Sequence, residues 1–109
     1  MHLVITGITL RSPFYKPLFL FHAIRSLQQA AAHPGNRHAD QRVIDGIHHT
    51  ATLWTDVAAS RDYGTTGPHR QAVSVFAKIG TGKVYHGTAD QVPDWPEMRR
   101  LYDAAAQDV

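Results

Sequence analysis

The chain has 109 residues, with 11 Lys or Arg against 9 Asp or Glu for a formal charge of +2, and it contains no cysteine. That length makes a single domain able to bury roughly 65% of its unfolded surface, and the missing thiols exclude disulfides, thiolate metal sites and cysteine nucleophiles, which fits a reducing compartment such as the cytoplasm. The basic residues are scattered, with only Arg99 and Arg100 adjacent, so neither the clustered positive face of a nucleic-acid-binding domain nor, with the densest apolar run confined to Leu18 to Ile24, a membrane span is expected.

His2 to Leu10 (HLVITGITL) is rich in β-branched residues and predicts a first strand, with Val4, Thr6, Ile8 and Leu10 on one face and Leu3, Ile5, Gly7 and Thr9 on the other. Pro17 suits a first helical turn. Leu20, Ala23, Ile24, Leu27 and Ala31 follow at helical spacing, so a helix is expected over 17–32 before His33-Pro34-Gly35-Asn36 ends it. A weakly patterned strand over 37–44 leads into Asp45-Gly46, the strongest hairpin signal in the chain, and a third strand over 47–55. The stretch LWTDVAASRDYGTTGPHRQAV (53–73) then starts a helix after Asp56, breaks it at DYGTTG, and restarts it at Gly67-Pro68 with Ala72, Val75, Phe76 and Ile79 on one side. Gly80-Thr81-Gly82 is expected to stop that helix, and Lys83 to Ala89 to form a fourth strand. Asp94 with Glu97 three residues on predicts a capped last helix bearing Met98, Leu101 and Tyr102, followed by a fraying tail.

The order βαββαβ, with a helix appended at 94–107, is the ferredoxin-like split unit, so the fold class is α+β and residues 1–109 form one domain. Two helices would cover one sheet face. No charged residue occurs from Ile47 to Thr55, so the other face would be an apolar patch too large for a typical monomer, and a homodimer is expected.

HPGN after the first helix, LWTD at the end of the third strand and GPHRQAV at the restarted helix occur in the order seen in the dimeric α+β barrel superfamily. Over most of residues 2–90 the chain resembles small antibiotic-biosynthesis-monooxygenase-like and spheroidene-monooxygenase-like proteins. The resemblance implies a ferredoxin-like protomer whose two sheets close into a dimeric barrel, with an apolar pocket between each sheet and its helices. Several such enzymes oxidise hydrophobic aromatic or phenolic molecules with O2 and neither metal nor flavin, whereas other branches bind haem or have no known activity. Fold analogy alone does not carry function, which has to be argued from residues.

Oxygenation without a cofactor needs a dry pocket, a base, and donors for the resulting oxyanion. His69, one residue past Pro68 and in the first turn of the restarted helix, is the expected base, because a helix N-terminus disfavours the imidazolium and keeps the ring ready to take a proton. Tyr63 is expected to hold the substrate oxygen and Trp54 to stack on its ring, with Phe19, His22 and Phe76 completing the substrate-binding set. Plainer roles compete: His69 as a surface histidine bonded within the TTGPH turn, Trp54 as core, and Phe19 with Phe14, Tyr15 and Phe21 as core and dimer packing. No metal site is expected, because His48 and His49 point to opposite sheet faces and a site from His2, His48 and His86 would have to converge across three strands. Haem is the alternative cofactor. Haem-degrading relatives carry their axial histidine where this chain has Val73, which leaves His22 or His69 as the ligand. A non-catalytic dimeric module that binds a small ligand is the third reading.

Overall fold

In the computed structural model, which describes residues 1–109, the alternation of HLVITGITL becomes the nine-residue strand β1 (His2–Leu10). A single 3-10 turn at Pro13–Tyr15, with the Ser12 hydroxyl accepting the Phe14 N–H, leads into α1 (Lys16–Ala32). Strands β2 (Asn36–Ile44) and β3 (Ile47–Trp54) form the expected hairpin, with Asp45 at φ 51° and Gly46 at φ 77° supplying the left-handed turn that two-residue hairpins favour. The interrupted helix is α2 (Val57–Gly64) followed by α3 (Gly67–Ile79). Strand β4 (Gly80–Thr88), helix α4 (Trp95–Ala105) and the two-residue strand β5 (Gln107–Asp108) complete the chain. The sheet order is β2-β3-β1-β4-β5, every pair antiparallel, and no helix is long and apolar enough to cross a membrane.

Two expectations at the chain's later end are corrected. Helix α3 does stop at Gly80, but β4 starts there and not at Lys83, with Gly80, Thr81 and Gly82 paired to Leu10, Thr9 and Ile8. A side chain at Gly80 would run into the Thr9 carbonyl, so glycine here serves close strand approach and not chain reversal. The tail does not fray: helix α4 ends at Ala105, and Gln107 and Asp108 pair with Val84 and Lys83.

The alternation in β1 and β3 sorts the two sheet faces. Leu3, Ile5, Ala51 and Leu53, each no more than 2% exposed, meet Trp95, Met98 and Tyr102 of α4 in the largest apolar cluster of the molecule. The Tyr102 ring lies over Gly7, where a Cβ would have no room. Asp94 caps this helix by accepting the Glu97 N–H at 2.9 Å, and the Trp95 indole N–H donates to Asp40 at 3.0 Å. The sheet face that the sequence reserved for a second copy is therefore covered by the chain's own last helix, and the argument for a dimer from an uncovered apolar face falls away. On the opposite face, α1, α2 and α3 cover the side chains of Val4, Thr6, Ile8, His48, Thr50 and Thr52.

His49 shows the strand alternation at work. It is buried against Tyr102, with ring centroids 4.7 Å apart, while neighbouring His48 packs on Phe19 of α1 across the sheet. One His49 nitrogen, Nδ1, donates to the Thr6 carbonyl at 3.0 Å, and Nε2 accepts from Arg99 at 3.3 Å. That arrangement needs a neutral ring. Burial first and the Arg99 charge second hold its pKa below the ordinary 6.5, with the bond to Thr6 and the Asp103 carboxylate opposing. His2, His48 and His69 are lowered for the same leading reason. Between a depressed folded pKa and an ordinary unfolded one, the unfolded chain binds more protons, so acid favours unfolding. Denaturant melts are expected to give a stability that is level above about pH 7 and declines as pH falls below about 6.5. His49→Gln should make that decline shallower; an unchanged slope would remove His49 as a contributor.

Candidate functional site

Between the sheet and the three helices on its second face lies a cavity of about 820 Å³. Apolar side chains (Val4, Ile8, Phe19, Val73, Phe76) alternate in its wall with hydroxyl and imidazole groups. This is the size and character of a small-molecule site. Its floor carries Thr6, Thr50 and Thr52, with the Thr6 and Thr50 hydroxyls in direct contact.

The helix break forms one wall of the cavity, and its hydrogen bonds can be accounted for group by group. A helix leaves its last four carbonyls without partners. At the end of α2, Arg61 O accepts from Thr65 N (3.1 Å) and Oγ1 (2.9 Å), and Asp62 O accepts from Thr66 Oγ1 (2.7 Å). Tyr63 O accepts from Gln29 Nε2 (3.2 Å), and Gly64 O accepts from His69 Nδ1 (3.1 Å). All four of the last carbonyls of α2 are thus bonded. Gly67, at φ 59°, supplies the left-handed backbone that starts α3.

Since a carbonyl can only accept, the bond to Gly64 puts the His69 hydrogen on Nδ1. Nε2 is left with a lone pair and no protein partner. Burial lowers the His69 pKa, with the Gly64 bond partly opposing, so the ring is neutral at pH 7. Its plane packs on Tyr63 at a centroid distance of 4.4 Å, and Tyr63 packs in turn on Trp54 at 4.8 Å.

Tyr63 is only 9% exposed. Its hydroxyl donates to the Ser26 carbonyl at 3.1 Å and lies 3.2 Å from the Ser26 hydroxyl, and burial raises its pKa. That hydrogen is therefore committed to α1, and on the sheet side the hydroxyl residues lining the cavity are Thr6, Thr50 and Thr52. Trp54 is fully buried with Ala30 and Tyr63 and does not line the cavity. Direct stacking of Trp54 on a ligand is corrected accordingly: a large aromatic ending a central strand beneath two helices is core.

Phe19 and Phe76 do line the cavity, 5.0 Å apart, at the end where His48 packs on Phe19. Phe76 is two turns along α3 from His69, roughly 10 Å at the helical rise, so the site has two ends. His22 is not among the residues that line it and stands edge-on to Phe21, so its assignment to the substrate set is corrected too. The buried stripe of α1 is Phe19, Ala23, Ser26 and Ala30, and His22, three residues past Phe19 and four before Ser26, sits half-buried at its edge. His2 and His86 meet each other at 3.0 Å, but no three His, Cys, Asp or Glu side chains converge on a metal-sized site.

Sequence reasoning missed the threonine floor, Ser26, His48 as a wall residue, and Gln29. The threonines and His48 were marked by strand alternation. Gln29 had no local signal, because its partners are 34 to 40 residues away.

No protein-family model and no curated protein matches the chain. Among solved structures, an antibiotic biosynthesis monooxygenase superposes with a TM-score of 0.73 at 20% identity, over 85% of this chain and 100% of that one. SnoaB, a cofactor-independent oxygenase from Streptomyces nogalater, superposes at 0.67 and 18%, over 85% of this chain and 97% of that one. Rv0793 from Mycobacterium tuberculosis superposes at 0.74 and 9%, over 86% and 100%. The chain has the α+β, ferredoxin-like fold of the antibiotic biosynthesis monooxygenases.

Proposed function

We propose that the protein oxidises a hydrophobic phenolic or quinol-like molecule with O2, needing neither metal nor flavin, and that His69 is the proton acceptor. The observation behind this reading is the imidazole whose Nδ1–H caps Gly64 while Nε2 has no protein partner in a cavity of about 820 Å³. A phenol enters with its hydroxyl toward Nε2, which takes the proton. The phenolate gives electron density to O2, a C–O bond forms at a ring carbon bearing hydrogen, and the peroxide is protonated. Loss of that ring hydrogen as a proton, with cleavage of the O–O bond, releases water and leaves a quinone carbonyl. One oxygen atom enters the product and the other leaves as water, so no external reductant is required. Phe19 and Phe76 keep the ring dry, the threonine hydroxyls donate to the phenolate oxygen, and Tyr63 backs the His69 ring.

Haem is the second reading, favoured because His48 and His69 both present unpartnered ring nitrogens to one cavity. Either could hold the iron, which would supply metal-centred redox chemistry; His22, outside the cavity, could not. The homodimer implied by the sequence resemblance belongs to this reading only through surfaces other than the face that α4 occupies. The test is aerobic incubation of the purified protein with 1-naphthol under 18O2, after a visible spectrum. A colourless protein that places one labelled atom in 1,4-naphthoquinone and the other in water is the expected result. A Soret band selects haem, and failure of a phenol panel to bind or react leaves the non-catalytic module.

A further inference from the structure

The first turn of α3 has an unusual capping problem. Thr66 occupies its N-cap, but the Thr66 hydroxyl is spent on Asp62 O and makes no cap bond to α3. Pro68 has no N–H. The N–H of His69, three residues into the helix, is the donor that an N-cap side chain would ordinarily satisfy, and it is accepted instead by Oε1 of Gln29, from α1, at 2.7 Å. The same carboxamide donates through Nε2 to Tyr63 O at 3.2 Å and to Thr66 O at 3.0 Å. Two carbonyls on one side and one N–H on the other fix which end of the amide is which.

We propose that Gln29 is the positioning residue of this site: by bonding the main chain on both sides of the α2–α3 break, it holds the Gly64 carbonyl against His69 Nδ1 and so sets the tautomer whose Nε2 can accept a proton. The catalytic consequence rests on the reading of His69 as base; the tautomer does not. Gly64 O directly follows the peptide that Gln29 ties through Tyr63 O, and His69 is held at its own N–H, so both partners of the tautomer-setting bond hang from one side chain. Glycine at 67 suits the arrangement through its positive φ, and a Cβ there would meet the Gln29 carboxamide only in ordinary contact.

Imidazole 15N spectra at pH 8 test this directly. In the unaltered protein His69 should show a protonated Nδ1 and an unprotonated Nε2, and the Gln29 carboxamide protons should exchange with solvent much more slowly than a free amide. Gln29→Met, which keeps the length of the side chain and removes its hydrogen bonds, should shift His69 to the averaged tautomer pattern of a free imidazole. With 1-naphthol as substrate it should lower kcat roughly 10- to 100-fold with KM little changed, as expected for misplacement of a reacting group. Retention of the Nδ1–H pattern in Gln29→Met would overturn the proposal. If that variant does not fold, free-amide exchange of the Gln29 carboxamide in the unaltered protein would overturn it equally. Absence of naphthol turnover in the unaltered protein would count against the oxygenase reading and leave the tautomer result to decide Gln29.

Discussion

His69→Ala is expected to slow phenol oxidation by roughly 10²–10⁴-fold, the usual contribution of a positioned general base, while phenol affinity changes little. Affinity is carried by the aromatic walls at Phe19 and Phe76 and by the threonine floor, none of which the substitution touches. Alanine also strips Gly64 O of its donor, a loss of about 1 kcal/mol in stability, so thermal melts must accompany the rates. His69→Asn, which retains an N–H but cannot act as a base, should be as slow as alanine. The pH profile adds a sign. A base whose pKa lies below the ordinary 6.5 through burial is already neutral at pH 7, so the rate should be level through neutrality and fall only on the acid side. Turnover by His69→Ala at the unaltered rate would remove this residue from the mechanism. A rate that fell on the alkaline side alone would point to a group needed in its protonated form.

Removing residues 94–109 is expected to abolish the native fold at ordinary temperatures. Trp95, Met98 and Tyr102 are each no more than 7% exposed, and burying such side chains is worth about 1.5–3 kcal/mol apiece. The three together approach the 5–15 kcal/mol that typically holds a whole domain. The loss is compounded by the bare Leu3, Ile5, Ala51 and Leu53 left behind, which should drive association. A milder form of the same test is Met98→Ala, which at 1% exposure should cost about 2–5 kcal/mol, read as a lower denaturant midpoint with an unchanged slope. A midpoint within error of the unaltered protein would show that α4 is a dispensable lid on an already stable sheet.

These two expectations mark where the sequence was readable. β1 announced itself through β-branched alternation, the hairpin through Asp45-Gly46, and the α2–α3 break through DYGTTG followed by Gly67-Pro68, because each signal is local and set by backbone sterics. Helix α4 was legible as a helix, but not as the cover of a sheet face. A surface stripe of Trp95, Met98 and Tyr102 says that something must be covered without saying what. The site divided in the same way. His69 could be located because a helix start leaves a mark in sequence. Trp54 was misplaced because an aromatic at a strand end reads alike as wall or core, and His22 because, at helical spacing from both Phe19 and Ser26, periodicity does not part the middle of a buried stripe from its edge. Gln29 was invisible, since nothing about a glutamine in mid-helix tells that it caps another helix 40 residues away.

The smallest element has a consequence out of proportion to its length. Strand β5 contributes two residues, too few to matter for cohesion. It sits where the outermost strand β4 would otherwise offer Lys83 and Val84 to any passing chain. At the opposite margin β2 runs its full length unpaired on one side, but Arg37, Asp40 and Arg42 stud it with charge. Exposed strand margins are templates on which other molecules can add strands, and short cover or charge is how proteins blunt them. The sheet is guarded at one margin by a short cover over Lys83 and Val84 and at the other by hydrated charge, so Gln107 and Asp108 act less as a part of the fold than as a guard against polymerisation.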